Sequence, residues 1–131
     1  MVAIQSFAAV VVIMLAAHVA ADFLLQGCMA DMKVKSWWMN KVPAAKWPLY
    51  EHDYVAALAA HAFFWSFCVC LAPVIVFGST ATAAIIAIFA NTCVHGFIDD
   101  LKANRGAISL VTDQLCHVLE VIATAAALAA C

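Results

Sequence analysis

Charged residues are scarce in this sequence. Asp, Glu, Lys and Arg make up 11% of the 131 residues, whereas hydrophobic residues make up 68%. A soluble domain of ordinary composition has about 25% charged residues, so this composition excludes one. The formal net charge is −2 and no basic patch is present, which gives no indication of a nucleic-acid partner. The composition is typical of a membrane protein.

The sequence also lacks the cysteine pattern of a secreted disulfide scaffold. Five of the six cysteines fall within or beside long apolar segments, where a free cysteine packs as a small apolar residue. Cys68 and Cys70 are two residues apart, so a helix would direct them to different faces. The first apolar segment lacks the basic residues that begin a signal peptide, and we interpret it as retained in the protein.

What the chain does have is four long apolar segments, over residues 2–25, 53–77, 80–101 and 108–130. A helix needs about 20 apolar residues to cross a bilayer, and each segment qualifies. Many alanines within them allow helices to approach closely, as packing in lipid requires. The sequence therefore predicts an all-α membrane protein, with residues 1–131 forming one bundle of four transmembrane helices.

The connection between the first two segments, residues 28–52, is rich in Trp and Lys. This mixture is typical of a membrane interface, and it predicts an anchoring loop on the bilayer surface with a short amphipathic helix over residues 32–41. All six Lys and Arg residues lie in this loop or in the turn after the third helix. Because the two connections fall on one side of a four-helix protein, the positive-inside rule predicts that this side is cytoplasmic and that both termini are outside.

Polar residues interrupt all four apolar segments at a similar depth. In the first segment His18, Asp22 and Gln26 are spaced four residues apart, which puts them on one face of a helix. The second segment contains His61. The third contains His95 and Asp99, and the fourth contains Asp113 and His117, each pair with the same spacing of four residues. A charged group near the bilayer centre costs about 2.5–3.5 kcal/mol. We therefore expect these groups to meet in one site.

Imidazole and carboxylate groups are ligands for zinc, iron and manganese. The candidate metal ligands are His18, His61, His95, His117, Asp22, Asp99 and Asp113. Seven residues are too many for one tetrahedral ion, so they suit either one ion with surrounding carboxylates or a two-metal site. Zinc is the preferred ion. A proton or ion relay and a purely structural His–Asp network are the alternatives to a metal site.

Five motifs in chain order resemble a known family. They are His18-x3-Asp22-Phe23-x-Leu25-Gln26, Trp38-x-Asn40-Lys41, His61 in the second helix, His95-x3-Asp99-x2-Lys102 and Asp113-Gln114-x2-His117. The family consists of small bacterial and bacteriophage membrane proteins and is known as domain of unknown function thirty-three-oh-seven. The resemblance implies a four-helix protein of the bacterial cytoplasmic membrane with these polar positions shared, and it implies no established activity.

The first functional hypothesis is a zinc-dependent intramembrane hydrolase of a lipid-like substrate. The chemistry is similar to that of the alkaline ceramidases, which hold zinc with histidines from several helices; this is an analogy of chemistry and not of fold. His18, His95 and His117 are the expected ligands, and His61 or a carboxylate would complete the shell. The expected catalytic groups are a general base among Asp22, Asp99 and Asp113, and oxyanion-stabilising groups among Gln26, Gln114 and Lys102.

Two non-enzymatic hypotheses remain beside it. The first is a small ion or proton transporter or channel-like subunit, with homo-oligomers open as an assembly. The second is a non-catalytic membrane interaction protein whose polar cluster is structural. The partner common to all three hypotheses is the lipid bilayer.

Overall fold

The computed structural model describes residues 2–131, with side chains from residue 6 onward. Over this range the chain is helical and has no β-strand. Its α-helices are α1 (Val2–Val19), α2 (Met29–Met32), α3 (Lys35–Lys41), α4 (Trp47–Tyr50), α5 (Asp53–Phe77), α6 (Ala81–Ala103) and α7 (Leu110–Ala129). A π-helical turn, Ala20–Leu24, extends α1.

Four of these elements are long and apolar enough to cross a membrane, namely α1 with its π-helical turn, α5, α6 and α7. This confirms the four predicted segments. The boundaries follow from local capping. The Thr80 hydroxyl accepts a hydrogen bond from the Ala83 N–H and starts α6, and the Ser109 hydroxyl accepts one from the Thr112 N–H and starts α7. Gly78 ends α5 with a φ of 68°, a conformation that glycine adopts without steric cost.

The helix α5 is central, since it packs against α1, α6 and α7. The apolar core among α1, α5 and α7 includes Val10, Met14, Trp65, Val69 and Val121, all essentially inaccessible. Large apolar side chains also cover the outside of the long helices, among them Ile13, Phe64, Phe89 and Leu119. A continuous apolar exterior of this kind is what a hydrocarbon environment favours.

The end of α1 differs from the continuous helix that the sequence predicts. The Leu25 N–H donates to the Ala20 carbonyl over 2.9 Å, which closes the wide turn of a π-helix. The chain then leaves the helix at Gly27, with a φ of 52°. The Gln26 amide turns back to donate to the backbone carbonyl of Asp22. Gln26 therefore does not extend the face of His18 and Asp22, because its four-residue spacing no longer follows an α-helix.

The Trp/Lys-rich segment folds against the ends of the long helices. The predicted short helix is present as α3, with α2 ahead of it. The Lys35 N–H donates to Oδ1 of Asn104 over 2.7 Å, and Nδ2 of Asn104 donates to the Lys33 carbonyl over 3.2 Å. Asn104 immediately follows α6, so these bonds fix the segment beside the end of α6 and bring Lys33 to the bundle.

Candidate metal centre

The helices α5, α6 and α7 and the end of α1 bring their polar residues into one buried cluster. It contains all seven predicted ligands, which are at most 6% exposed: His18, Asp22, His61, His95, Asp99, Asp113 and His117. On α6 and α7 the His–Asp pairs four residues apart share one inward face, as the helical period requires. The structure therefore brings these seven residues together in one cluster.

Four of these residues, Asp22, His61, His95 and Asp99, form a group that we call the tetrad. Each offers one ligand atom, and the atoms lie within 4.8 Å of one another. Nε2 of His61 is 3.1 Å from Oδ1 of Asp22 and 3.4 Å from Oδ2 of Asp99. Nε2 of His95 is 3.6 Å and 3.7 Å from the same two oxygens. The two Nε2 atoms are 3.3 Å apart.

These distances match the edges of a coordination tetrahedron. Zinc bonds of about 2.0–2.2 Å separate tetrahedral ligand atoms by about 3.3–3.6 Å, and the five tetrad distances run from 3.1 to 3.7 Å. The facing imidazole nitrogens point to the same conclusion. Two lone pairs 3.3 Å apart repel each other unless a proton or a cation lies between them. The tetrad therefore has ligand atoms at the spacing that a four-coordinate divalent ion needs.

Three residues, Asp99, Asp113 and His117, form a second group, the triad. Nε2 of His117 is 3.5 Å from Oδ1 of Asp99 and 3.5 Å from Oδ1 of Asp113. None of these three atoms has a hydrogen-bond partner among the described residues. Buried polar atoms rarely lack a hydrogen-bond partner. Three such atoms that face one another favour binding of a cation between them.

Glu120 lies behind both groups and was not among the predicted site residues. Its Oε2 is 3.4 Å from Nδ1 of His117 and 3.9 Å from Nδ1 of His95. These three residues also lie close enough to hold an ion. A carboxylate that accepts from the Nδ1–H of a histidine, however, orients that ring with its Nε2 lone pair directed to a metal, which suits Glu120 to a supporting role.

His18 lies beside these groups and belongs to none of the three. The Trp65 indole N–H donates to Nδ1 of His18 over 2.9 Å, so the ring proton is on Nε2, which is 3.1 Å from Oε1 of Gln114. Both ring nitrogens are thus engaged. The Gln114 amide donates in turn to Oδ2 of Asp113 over 3.0 Å. His18 and Gln114 are placed to orient their neighbours, and the structure gives His18 no free lone pair for the expected ligand role.

Two lysines neutralise part of the cluster. Nζ of Lys102 is 2.5 Å from Oδ2 of Asp113, so its ammonium is occupied by this carboxylate. Nζ of Lys33 is 2.6 Å from Oδ2 of Asp99, and its side chain is 7% exposed. The sequence predicts Lys33 in an anchoring loop on the bilayer surface and does not indicate this buried contact with Asp99. The signal that could have found it is the excess of carboxylates in the apolar segments, which requires cations from the nearest loops.

Trp65 is the third residue of the cluster that the sequence does not indicate, after Glu120 and Lys33. Its ring stacks on His95, with centroids 4.1 Å apart and planes 20° apart, and His95 lies the same distance from His117. Trp65 is one helical turn after His61 on α5, so it belongs to the same inward stripe. It closes the cluster on the side of the apolar core, which keeps water from the tetrad.

Comparison with known proteins identifies the family. No curated protein and no solved structure matches this chain. The model of the family described as "Protein of unknown function (DUF3307)" matches residues 10–130, a range that contains α5, α6, α7, the part of α1 from Val10 onward and every residue of the cluster. The chain therefore belongs to the DUF3307 family of proteins of unknown function.

Proposed function

We propose that this chain is an integral membrane protein of four transmembrane helices that holds a divalent cation in the tetrad. The observation that carries the proposal is the set of donor atoms, two imidazole Nε2 atoms and two carboxylate oxygens at tetrahedral edge distances. Two histidines with two carboxylates suit zinc, iron or manganese, and zinc accepts the four-coordinate geometry most readily.

The charge of the cluster supports a divalent ion. Asp22, Asp99, Asp113 and Glu120 contribute four carboxylates, all buried. Lys33 and Lys102 contribute the two ammonium groups that contact them, so two negative charges remain when the imidazoles are neutral. Uncompensated charge is costly in a low-dielectric interior. One divalent cation balances this deficit.

The proposed chemistry is hydrolysis of a lipid-like substrate. A groove of about 540 Å³ between α6 and α7 supports an apolar substrate, since it is lined mainly by Ala, Ile and Leu and its volume is within the usual range for ligand sites, about 300–1,000 Å³. Asn91 and Thr124 line the groove as well, and Asn91 is one helical turn from His95. Water activated by a divalent ion in the cluster would supply the nucleophile, with a cluster carboxylate as general base.

Ion or proton transport is the second candidate, because polar contacts link α5, α6 and α7 one helical turn from His95. The Thr124 hydroxyl donates to Oδ1 of Asn91 over 2.9 Å, and Nδ2 of Asn91 donates to Sγ of Cys70 over 3.4 Å. Beyond them the groove lining is mostly apolar, with Ile86, Ala87 and Leu128. An apolar lining favours a lipid chain over a hydrated ion, so we rank transport below hydrolysis.

The test is elemental analysis of the detergent-purified full chain after loading with zinc and desalting. Wild-type protein is expected to retain at least one equivalent, and His61→Ala and His95→Ala are each expected to retain one equivalent fewer. The matched control is His52→Ala, which removes an exposed histidine just before α5 and should retain the wild-type amount. A folded wild-type protein that holds no metal, or that loses none in the tetrad variants, would overturn the proposal.

The hydrolytic step has its own readout. Zinc-loaded wild type is incubated with vesicles of ester-linked phospholipid, and free fatty acid or released headgroup is measured. Turnover by wild type and by His52→Ala, but not by His61→Ala, is the expected result. Full zinc occupancy without turnover of these lipids would contradict lipid-ester hydrolysis and leave the metal site standing.

A further inference from the structure

The triad carries an inference of its own, which rests on the proposed metal site of the tetrad. We propose that the triad binds a second divalent cation and that the Asp99 carboxylate bridges the two ions. The tetrad and the triad share Asp99 but use different oxygens of it. Oδ2 of Asp99 lies 3.4 Å from Nε2 of His61 in the tetrad, and Oδ1 lies 3.5 Å from Nε2 of His117 in the triad.

The unpartnered atoms of the triad favour a ligand there. Oδ1 of Asp99, Oδ1 of Asp113 and Nε2 of His117 have no hydrogen-bond partner among the described residues. Their side chains are 1%, 0% and 0% exposed. The second oxygen of Asp113 is already held by Lys102 and Gln114, and Nδ1 of His117 faces Glu120. The remaining free atoms of all three residues therefore point into one common space.

The two groups differ in how many positions they leave open. The tetrad supplies four protein ligands, which closes a tetrahedral ion, whereas the triad supplies three and leaves a fourth position for water. A closed shell is typical of structural sites and an open position is typical of catalytic ones. Paired ions in hydrolytic enzymes lie about 3.5–4 Å apart, and a carboxylate with one oxygen on each ion can bridge such a pair. The triad ion is thus the one that would activate water.

The charges of the cluster set the order of binding. One divalent ion balances the two carboxylates that the lysines leave unpaired, so a second ion enters a site with no remaining negative charge to neutralise. The Lys102 ammonium opposes binding of the second ion, because it contacts Asp113, one of the ligands of the triad. Its side chain is 28% exposed, so it can turn to solvent. We therefore expect the second ion to bind more weakly than the first and to bind more tightly when Lys102 is replaced.

The test is a zinc titration of the detergent-purified full chain by equilibrium dialysis, followed by X-ray absorption of the saturated protein. Wild type is expected to bind two equivalents in two steps, with a zinc–zinc distance of about 3.5–4 Å. Asp113→Asn is expected to lose only the weaker equivalent, and its retained first equivalent shows that it is folded. Lys102→Met should tighten the second step by about tenfold or more, since it removes a nearby positive charge.

Asp99 and its neighbour Asp100 provide a matched pair of variants. Asp99→Asn is expected to weaken both steps, whereas Asp100→Asn should change neither, because Asp100 pairs with Arg105 outside the cluster. Saturation of wild type at one equivalent, or two equivalents retained in Asp113→Asn, would overturn the second site while leaving the tetrad ion intact. Absence of any bound zinc in wild type would overturn both proposals.

Discussion

At the scale of single residues, Lys33 is the side chain that links the surface segment to the buried cluster. Its ammonium contacts Oδ2 of Asp99, the same oxygen that faces the tetrad histidines His61 and His95. A lysine and a divalent ion at this oxygen have the same electrostatic effect, which is to neutralise a carboxylate whose side chain is only 1% exposed. When one of these cations is removed, the other should therefore stabilise the protein more.

The Lys33→Met variant should differ from wild type in its melting temperature, both without zinc and with it. Removing one partner of a buried ion pair costs about 3–5 kcal/mol, so the metal-free variant should melt well below the metal-free wild type. Added zinc should then raise the melting temperature of the variant more than that of the wild type, because the ion finds one more uncompensated carboxylate. The measurement is thermal unfolding in detergent, after chelation and again with zinc.

Lys46→Met is the control for Lys33→Met, since Lys46 belongs to the same Trp/Lys-rich segment and is exposed. Its melting temperature should equal that of the wild type both after chelation and with zinc. Equal stabilisation by zinc of Lys33→Met and wild type would show that the lysine and the metal do not act on a common carboxylate.

The residues of the cluster differ in how far the sequence predicts them. The buried histidines and aspartates could be predicted, because a titratable group within an apolar run is costly and needs partners. Lys33 could not be placed, because lysine beside tryptophan is the normal composition of a membrane interface. Its burial depends on Asn104, which holds the segment against α6 through contacts 69 and 71 residues apart in the chain.

At the scale of elements, the approach of α5 and α6 positions the tetrad. A Cβ atom at Gly96 would lie 3.5 Å from Cβ of Ala62. These two residues adjoin His95 and His61, whose Nε2 atoms are 3.3 Å apart. The small residues therefore set the distance between two ligands, as small residues commonly set helix spacing in membrane proteins.

A graded pair of substitutions tests this spacing. Gly96→Ala adds a methyl group at an ordinary contact distance and should keep the tetrad ion, with a stability equal to or somewhat above that of wild type, because alanine favours a helix by about 1 kcal/mol over glycine. Gly96→Leu must push α5 from α6 and should cost about 1–3 kcal/mol. Zinc affinity is expected to fall only in the leucine variant. Unchanged zinc affinity in Gly96→Leu would show that this contact does not set the ligand distance.

The helices themselves were predictable to within a few residues, since apolar length and the capping residues Thr80 and Ser109 determine their ends. The π-helical turn Ala20–Leu24 was not, because hydropathy is insensitive to one wide turn within an apolar run. The turn changes the position of Gln26. An α-helical register would keep Gln26 on the same face as His18 and Asp22. Because of the π-helical turn and the exit at Gly27, the Gln26 amide instead donates to the backbone carbonyl of Asp22.

At the scale of the whole molecule, the positively charged residues lie at one end of the four long helices. The six Lys and Arg residues lie in the segment between α1 and α5 and at the junction of α6 and α7. The cluster lies toward the same end, because Asp22, Asp99 and Asp113 are each within about a turn of it. The positive-inside rule predicts that this end faces the cytoplasm, and on that prediction an ion would reach the cluster from the cytoplasmic side.

The natural cysteines provide the test of this orientation. Cys28, Cys93 and Cys131 are exposed; Cys28 follows α1 at the charged end, Cys131 follows α7 at the opposite end, and Cys93 is near the middle of α6. Three variants, each retaining one of these cysteines and carrying alanine at the other five, are labelled in spheroplasts with a membrane-impermeant maleimide.

Cys131 is expected to react in intact spheroplasts, and Cys28 only after the membrane is opened, since each thiol is reached from one side. Cys93 serves as the internal control. In the proposed bundle its thiol would face lipid, which a membrane-impermeant reagent does not enter, so it should react only after detergent extraction. Labelling of Cys28 but not Cys131 in intact cells would invert the topology and give the cluster access from outside. Reaction of Cys93 in intact membranes would mean that α6 lies in water, which would contradict the proposed transmembrane bundle.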